Sequence, residues 1–278
     1  MVGWGIEIST SVSPGGDDAR YNARMAFEQE LEVARRIARR AGELALAHRA
    51  RGVRAETKLD LSPVTAADRA CERLIAGILE EHFPADGLVG EEGALKEGAS
   101  GRRWVLDPID GTRDYIRHTP TWSVLIALEA GGEVQVGVCY LVEQDEMYWA
   151  VRGGGAYVND RPIRVSGIRN PGQAVLCVNG LNDVGRIPFA DRLLGWMQQF
   201  WSVRSFGGCQ DAMLLASGRT DAWIEPYAAA WDLAPLKVII EEAGGVFFNF
   251  DGGSSIYGGN GAASVPGLEA ELRRFIAG

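Results

Sequence analysis

Residues 104–112 read Trp104-Val105-Leu106-Asp107-Pro108-Ile109-Asp110-Gly111-Thr112, an apolar strand followed by two carboxylates and a tight turn. Two Asp side chains three positions apart at a strand end can point to one spot, and the amides of Gly111 and Thr112 can open a helix N-terminus suited to an anion. This pattern predicts a metal ion beside a phosphate group. Because it also fits an ordinary surface turn, the interpretation depends on the rest of the chain.

The composition is that of a globular chain with an acidic surface. The 278 residues are 46% hydrophobic and carry 28 Lys and Arg against 37 Asp and Glu, for a net charge of −9. Such a chain has enough apolar residues for one large domain or two smaller ones. Its charge argues against nucleic acid or an anionic membrane as a partner. The absence of a signal-peptide pattern and of an apolar run of about 20 residues predicts a soluble, cytoplasmic protein.

The four cysteines and three histidines are widely separated in the sequence, without the paired spacing of a zinc site. Isolated cysteines in apolar surroundings are typical of buried thiols in a reducing compartment. The cysteines are Cys71, Cys139, Cys177 and Cys209. No zinc site is therefore expected.

The pattern of apolar residues divides the chain into three parts and predicts an α+β fold. Residues 1–21, rich in Ser, Gly and Asp, are typical of a mobile leader. Residues 22–165 are predicted to form an N-terminal half that contains the metal site, with helices over 22–51 and 66–82 followed by an antiparallel meander. Residues 166–278 alternate strand and helix and are predicted to form a C-terminal α/β half.

The predicted elements beyond residue 100 follow from the change of period along the chain. Strands are predicted over 104–106, 124–128, 134–142, 147–151, 174–179 and 222–225, and helices over 189–200, 210–217 and 233–243. The boundary between the halves is expected within residues 159–170, where the meander ends.

Further acidic residues stand where predicted elements begin or end. Asp68 follows Thr65 at the start of a helix, Glu91 and Glu92 follow a short apolar strand, and Asp232 begins another helix. Taken individually, Asp68 and Asp232 favour helix-capping roles over metal binding. Together with Asp107 and Asp110, however, they suggest the oxygen ligands that Mg²⁺ prefers.

Four motifs resemble, in order and spacing, those of the inositol monophosphatase superfamily, whose members are Mg²⁺-dependent and lithium-sensitive phosphatases. The motifs are Lys58–Asp68, Gly90–Glu92, Trp104–Thr112 and Trp231–Gly245. The resemblance covers about residues 25–275. It implies a layered αβαβα sandwich of the inositol monophosphatase and fructose-1,6-bisphosphatase type, usually a homodimer, with the active site between its halves.

The resemblance also implies a set of metal ligands. Glu91, Asp107 and the carbonyl of Ile109 resemble the ligands of a metal ion that activates water. Asp107, Asp110 and Asp232 resemble the ligands of a second ion, which holds the leaving oxygen, and a more loosely bound third ion would contact Glu91. Two or three Mg²⁺ ions are therefore expected, and such a site requires no protein nucleophile.

Catalytic and substrate-binding residues are implied in the same way. Thr112 and Asp68 resemble the pair that orients and deprotonates the attacking water, and Glu91 is the third residue with an implied catalytic role. The implied substrate contacts are Asp110, Gly111, Thr112, Cys209, Glu225 and Asp232. A non-catalytic homologue would be expected to lose a metal ligand, and none is missing.

The identity of the phosphate ester depends on the second half of the chain. Residues 206–211 read Phe-Gly-Gly-Cys-Gln-Asp, where inositol phosphatases commonly have Gly-Ser or Gly-Thr and two alanines. Residues 83–92, 109–122 and 214–218 are closer to the histidinol-phosphate phosphatase branch, although that branch often has Asp at the position of Gly208. We expect L-histidinol phosphate as the substrate, with inositol 1-phosphate as the alternative. Adenosine 3′,5′-bisphosphate and fructose 1,6-bisphosphate are less expected.

A pocket for a cationic alcohol would need acidic groups beyond the metal ligands, and Glu225, Asp211 and Asp114 are the candidates in the sequence. Glu225 has the spacing from Asp232 of the family's substrate-hydroxyl contact, but it also fits a charged strand end. For Lys58, the sequence leaves open whether it binds phosphate or pairs with a carboxylate.

Overall fold

The protein is described by a computed structural model for residues 14–58 and 62–278. The helices in these residues are α1 Pro14–Met25, α2 Glu28–Ala50, α3 Ala66–His82, α4 Thr112–Arg117, α5 Ala190–Met197, α6 Gly208–Ala216, α7 Ala230–Glu242 and α8 Glu269–Ala277. None of these described helices combines the length and the apolar character needed to cross a membrane. Of the predicted leader, residues 1–13 lie outside the described residues, and residues 14–21 belong to α1.

The strands form a short hairpin and two larger sheets. Their bounds are β1 Ala55–Thr57, β2 Pro63–Thr65, β3 Gly87–Gly90, β4 Leu95–Lys96, β5 Arg102–Asp110, β6 Ser123–Ala130, β7 Glu133–Leu141, β8 Glu146–Val151, β9 Gly155–Val158, β10 Arg161–Pro162, β11 Val175–Val178, β12 Ser202–Arg204, β13 Ala222–Glu225, β14 Val246–Phe248 and β15 Gly261–Ser264.

Helices α2 and α3 pack against each other and against strands β5, β6 and β7. The helix predicted over 22–51 begins at Glu28 instead, because Phe27 has a non-helical backbone (φ −129°, ψ 25°) that separates α1 from α2. Helix α3 begins as predicted: Thr65 Oγ1 accepts a hydrogen bond from Ala67 N at 3.1 Å, and Asp68 Oδ2 accepts one from Thr65 N at 2.8 Å. These reciprocal bonds satisfy main-chain donors at the helix start.

The larger sheet has eight strands in the order β10-β9-β8-β7-β6-β5-β3-β4. Strands β5 to β8 form the predicted antiparallel meander, which β9 extends by one strand that was not predicted, and β3 joins β5 in parallel. The pairing of β5 with β6 changes register between Asp107 and Asp110. An irregularity of this kind redirects side chains at the strand end, which is where both aspartates lie.

The smaller sheet has the order β12-β11-β13-β15-β14 and mixes parallel with antiparallel pairs. Strands β11 and β13 match the prediction. Strands β12, β14 and β15 and helix α8 were not predicted from the sequence. The missed strands have only three or four residues each, and Gly261-Ala262-Ala263-Ser264 lacks the β-branched and aromatic residues that mark a strand.

Three of the four apolar clusters in the described residues order the elements into five layers. One core joins α2 and α3 to the eight-stranded sheet. The second lies between the two sheets and contains the buried faces of α6 and α7. The third joins the five-stranded sheet to α5 and α8. The sequence helix, sheet, helix, sheet, helix confirms the αβαβα sandwich.

Candidate active site

Three aspartates from distant parts of the chain meet at one end of the middle layer. Asp107 and Asp110 lie at the end of β5, and Asp232 lies in the first turn of α7. Each offers a carboxylate oxygen, and these oxygens lie within 4.8 Å of one another. With Glu91 they line a cavity of about 300 Å³. The structure thus brings together the four carboxylates that the sequence singled out.

Main-chain hydrogen bonds fix two of these carboxylates. Asp107 Oδ1 accepts from Ile109 N at 2.9 Å, and Asp232 Oδ2 accepts from Ala229 N at 2.7 Å. Asp232 therefore caps the start of α7, as the alternative interpretation proposed, and still lines the cavity. The two roles are compatible because a carboxylate has a second oxygen for another ligand.

The cluster is electrostatically costly when it is fully ionised. Burial, with the charges of Glu91, Asp110 and Asp232, raises the pKa of Asp107 well above its usual range. Burial raises the pKa of Asp110 to about 6, although hydrogen bonds from Cys209 act in the opposite direction. Burial and the charge of Asp110 raise the pKa of Asp232 to about 7. A divalent cation among these oxygens would relieve the repulsion, and an all-oxygen donor set fits Mg²⁺.

Glu91 is held next to the cluster by a cation and by the loop after β3. Lys58 Nζ lies 2.8 Å from Glu91 Oε1 and 2.6 Å from Glu92 Oε1, so Lys58 pairs with carboxylates. Burial acts to lower the pKa of Lys58, but the hydrogen bonds to these carboxylates raise it overall. The buried Glu72 accepts from the main-chain nitrogens of Glu92 and Ala94, each at 2.8 Å. Glu72, which the sequence did not single out, thereby anchors the loop.

Thr112 lies between Asp68 and the main chain. Its Oγ1 is 3.2 Å from Asp68 Oδ1 and 3.2 Å from the carbonyl oxygen of Ile109. Asp68 is fully buried, and this burial raises the pKa of its carboxyl. Thr112 lines the cavity whereas Asp68 does not. Asp68 can therefore act on a bound molecule only through Thr112.

The turn between β5 and α4 requires glycine. Gly111 has φ +83°, and a Cβ at this position would lie 3.2 Å from the carbonyl oxygen of Thr121. The first residues of α4, α6 and α7 all line the cavity, so three helix N-termini face the carboxylates. Their free amides add partial positive charge to an otherwise acidic site.

The cavity is also lined by Glu225, a carboxylate outside the group formed by Glu91, Asp107, Asp110 and Asp232. Glu225, at the end of β13, accepts a hydrogen bond from Asn179 Nδ2 at 2.7 Å. Burial raises the pKa of Glu225 well above its usual range, against the effect of the Asn179 hydrogen bond. Gly208, Cys209 and Asp114 also line the cavity. Glu225 and Asp114 are thus both placed where a substrate can reach them.

Asp211 does not line this cavity, contrary to its candidacy as a substrate contact. It is fully buried, and its Oδ1 accepts from Phe206 N at 3.0 Å. Its role is to hold the loop before α6. Several cavity residues were not found from the sequence, namely Ser62, Pro63, Arg113, Asn179, Asn182, Gly207, Tyr227 and Ala228. Only the position of Asn179 at the end of a predicted strand could have indicated it.

Comparison with known proteins agrees with this geometry. The family model described as "Inositol monophosphatase family" matches residues 27–276. The histidinol-phosphatase of Chlorobaculum parvum is 37% identical over 237 residues, covering 85% of this chain and 92% of that protein. The inositol-1-monophosphatase of Mesorhizobium japonicum is 36% identical over 219 residues, covering 77% and 81%.

A solved structure has the same overall fold. The extragenic suppressor protein suhB of Bartonella henselae superposes with a TM-score of 0.82 at 29% sequence identity, covering 90% of this chain and 98% of that one. The family match spans both sheets and all four carboxylates of the site. The chain therefore belongs to the inositol monophosphatase family of phosphatases.

Proposed function

We propose that the protein is a Mg²⁺-dependent phosphomonoesterase and that its substrate is L-histidinol phosphate. The observation that carries the metal-dependent chemistry is the convergence of Asp107, Asp110 and Asp232 within 4.8 Å beside the bonded pair Thr112 and Asp68. The choice of substrate is supported by the sequence identity to a histidinol-phosphatase. It is also supported by Glu225 and Asp114, two further carboxylates that line the cavity.

The carboxylates of Glu91, Asp107, Asp110 and Asp232, with the carbonyl of Ile109, would hold two or three Mg²⁺ ions. When bound, Mg²⁺ supplies positive charge against the phosphoryl group and lowers the pKa of water. The burial and mutual repulsion of these carboxylates fit such a charge. The chain's own part is to keep the carboxylates ionised and oriented.

Thr112 and Asp68 would orient the attacking water and take its proton. When the Thr112 hydroxyl donates to Asp68 Oδ1, its oxygen is free to accept from a water molecule in the cavity. As water attacks, the hydroxyl can receive the water's proton while its own passes to Asp68. Burial makes Asp68 a better proton acceptor than an exposed aspartate, because the raised pKa favours its neutral form.

The phosphate and the alcohol would occupy opposite parts of the cavity. The amides of Gly111 and Thr112 open α4 and would donate to phosphate oxygens. Glu225 and Asp114 would face the alcohol, and Cys209 also lines the cavity. A cationic amine or imidazole gains more from two carboxylates than a neutral polyol does.

Inositol 1-phosphate is the second candidate substrate. It is favoured by the 36% identity to an inositol-1-monophosphatase, whereas Gly208 departs from the residue common in either group. A neutral ring would use Glu225 as an acceptor for a hydroxyl group. The two candidates therefore differ in what Glu225 contacts.

The test is phosphate release from a panel of esters with Mg²⁺, using the Asp107→Asn variant as the control for contaminating phosphatases. The panel contains L-histidinol phosphate, inositol 1-phosphate, adenosine 3′,5′-bisphosphate and fructose 1,6-bisphosphate. We expect the highest kcat/KM for L-histidinol phosphate. A higher value for inositol 1-phosphate would select the alternative, and no hydrolysis of any ester would reject the function.

We also propose that the chain acts as a cytoplasmic homodimer of two-part subunits. The four cysteines are buried and unpaired, which suits a reducing compartment. The homodimer is what the family resemblance implies. The eight-stranded sheet lies within residues 87–162 and the five-stranded sheet within 175–264, which supports halves of 22–165 and 166–278 with the cavity between them.

A further inference from the structure

We propose that Asn179 is a positioning residue that fixes the Glu225 carboxylate for the selection of a nitrogen-bearing alcohol, and that Gly208 provides the space this pair needs. The inference rests on the proposed phosphatase function and extends it by identifying how the leaving group is chosen. Nothing in the motifs that mark the family points to Asn179 or assigns it a role.

Asn179 is tied to the strand of Glu225 by both its main chain and its side chain. It directly follows β11, which pairs in parallel with β13. Its main-chain nitrogen donates to the carbonyl oxygen of Ile224 at 3.0 Å, and its Nδ2 donates to Glu225 Oε2 at 2.7 Å. With both bonds directed to adjacent residues of one strand, the carboxamide has little freedom to turn away.

The fixed amide determines which oxygen of Glu225 is presented to the cavity. In the described part of the chain, Asn179 is the only hydrogen-bond partner of the Glu225 carboxylate, and it occupies Oε2. Oε1 is left for a ligand, and Glu225 lines the cavity although only 6% of its surface is exposed. A buried carboxylate with one free oxygen binds a cationic donor more strongly than a neutral one.

Gly208 lies against both members of the pair. A Cβ on Gly208 would be 3.1 Å from Glu225 Oε2 and 3.4 Å from Asn179 Nδ2. Even alanine would therefore crowd the pair, and an aspartate would add a second negative charge beside Glu225. The missing side chain keeps the carboxylate and the amide in contact.

These contacts define the preferred leaving group. It is an alcohol with an ammonium or imidazolium group near the carbon that bears the phosphate, so that an N–H can reach Glu225 Oε1. Asp114 adds a second acidic group in the same cavity. A neutral alcohol has no positive charge to interact with Glu225 and Asp114, so it gains less from these two carboxylates.

The test is a double-mutant cycle with Asn179→Ala and Glu225→Gln, measured on L-histidinol phosphate and on β-glycerophosphate, whose alcohol has no nitrogen. For Asn179→Ala we expect KM for L-histidinol phosphate to rise about tenfold, with kcat changed less than about threefold. KM for β-glycerophosphate should change less than about twofold. In the Glu225→Gln background the Asn179 substitution should have less than about a twofold effect, because it acts through Glu225.

A second readout reports binding of the alcohol without its chemistry. The inhibition constant of L-histidinol against β-glycerophosphate hydrolysis should rise about tenfold in Asn179→Ala and also in Gly208→Ala. The matched control is Asn249→Ala. Asn249 is a buried asparagine whose Nδ2 donates to the carbonyl oxygen of Asn260 at 2.6 Å, and it does not line the cavity. Asn249→Ala can lower the free energy of unfolding, but it should leave the ratio of kcat/KM for the two esters unchanged.

Equal losses on both esters, or losses that add fully in the double variant, would overturn the role of Asn179. A wild-type preference for inositol 1-phosphate would instead overturn the proposed substrate, and the same cycle on that ester would still decide whether Asn179 acts through Glu225. The two failures are therefore distinguishable.

Discussion

Among single residues, Asp107 is expected to be the one whose loss costs most activity. One of its carboxylate oxygens lies within 4.8 Å of oxygens of Asp110 and Asp232, and the charge of Glu91 acts on it as well. We predict that Asp107→Asn lowers kcat/KM by about 100-fold or more on every ester, because it would remove the ligand that the two proposed ions share. Glu225→Gln should mainly change the ratio between esters. Steady-state kinetics on two esters check this, and a larger general loss for Glu225→Gln would contradict the assignment.

Thr112 is expected to act on the water and not on the ions. We predict that Thr112→Ala lowers kcat by about 100-fold while the Mg²⁺ concentration at half-maximal rate stays nearly constant. Thr112→Ser, which keeps the hydroxyl, is the matched control and should retain most of the activity. Near wild-type turnover in Thr112→Ala would show that the hydroxyl bonded to Asp68 has no part in the reaction.

At this scale, residues in local motifs are predictable and residues defined by tertiary contacts are not. Asp107 and Asp110 were found because a strand, two carboxylates and a turn follow each other directly. Asn179 was missed because its partner Glu225 is 46 residues away and reaches it only through the pairing of β11 with β13. Asp211 was proposed for its charge, but its oxygen is used by the main chain of Phe206.

Among the elements, the contact of α7 with β7 positions Asp232. Gly137 in β7 has no room for a side chain, since a Cβ would lie 2.4 Å from Val238 Cγ1 and 2.9 Å from the carbonyl oxygen of Pro235. We predict that Gly137→Ala lowers the free energy of unfolding by about 1–3 kcal/mol and weakens Mg²⁺ binding, because α7 must shift. Denaturant unfolding and Mg²⁺ titration measure the two effects.

Gly77 provides the matched control for this substitution. It lies inside α3, and a Cβ there would have no neighbour within 4 Å. Gly77→Ala should therefore raise stability by about 0.5–1 kcal/mol through helix propensity. If Gly137→Ala and Gly77→Ala had the same free energy of unfolding, the close packing of α7 against β7 would be contradicted.

Elements with strong periodicity were predicted well, and short ones were not. Helix α3 was found with its bounds because Thr65 and Asp68 mark its start and Phe83-Pro84 its end. The break at Phe27 was missed because the apolar spacing continues across it. Strand β15 depends on its pairing with β13 and β14 more than on its own residues, so local sequence cannot reveal it. Strand β14 was missed because it has only three residues.

At the scale of the whole molecule, the acidic cluster makes the free energy of unfolding depend on pH and on metal binding. The pKa of Asp110 is raised to about 6 and that of Asp232 to about 7, both through burial first. The metal-free folded state therefore binds more protons than the unfolded state, and stability falls as the pH rises from about 4 to 7. We predict that the metal-free protein has a higher Tm at pH 6 than at pH 8, and that Mg²⁺ raises the Tm most at pH 8.

The Asp110→Asn variant isolates this effect from the general change of surface charge. It removes one buried charge, so its metal-free Tm at pH 8 should exceed that of the wild type, and its dependence on pH should be weaker. Thermal unfolding followed by circular dichroism provides the values. A wild-type Tm that rises with pH in chelator would contradict the electrostatic description of the cluster.

The most direct test of the account is the rate of phosphate release from L-histidinol phosphate by chelator-treated protein, before and after Mg²⁺ is restored. The clustering of Asp107, Asp110 and Asp232 predicts release at the background rate of the Asp107→Asn variant without metal, and full recovery with Mg²⁺. Undiminished release in metal-free buffer would contradict the central claim that these carboxylates act by holding metal ions.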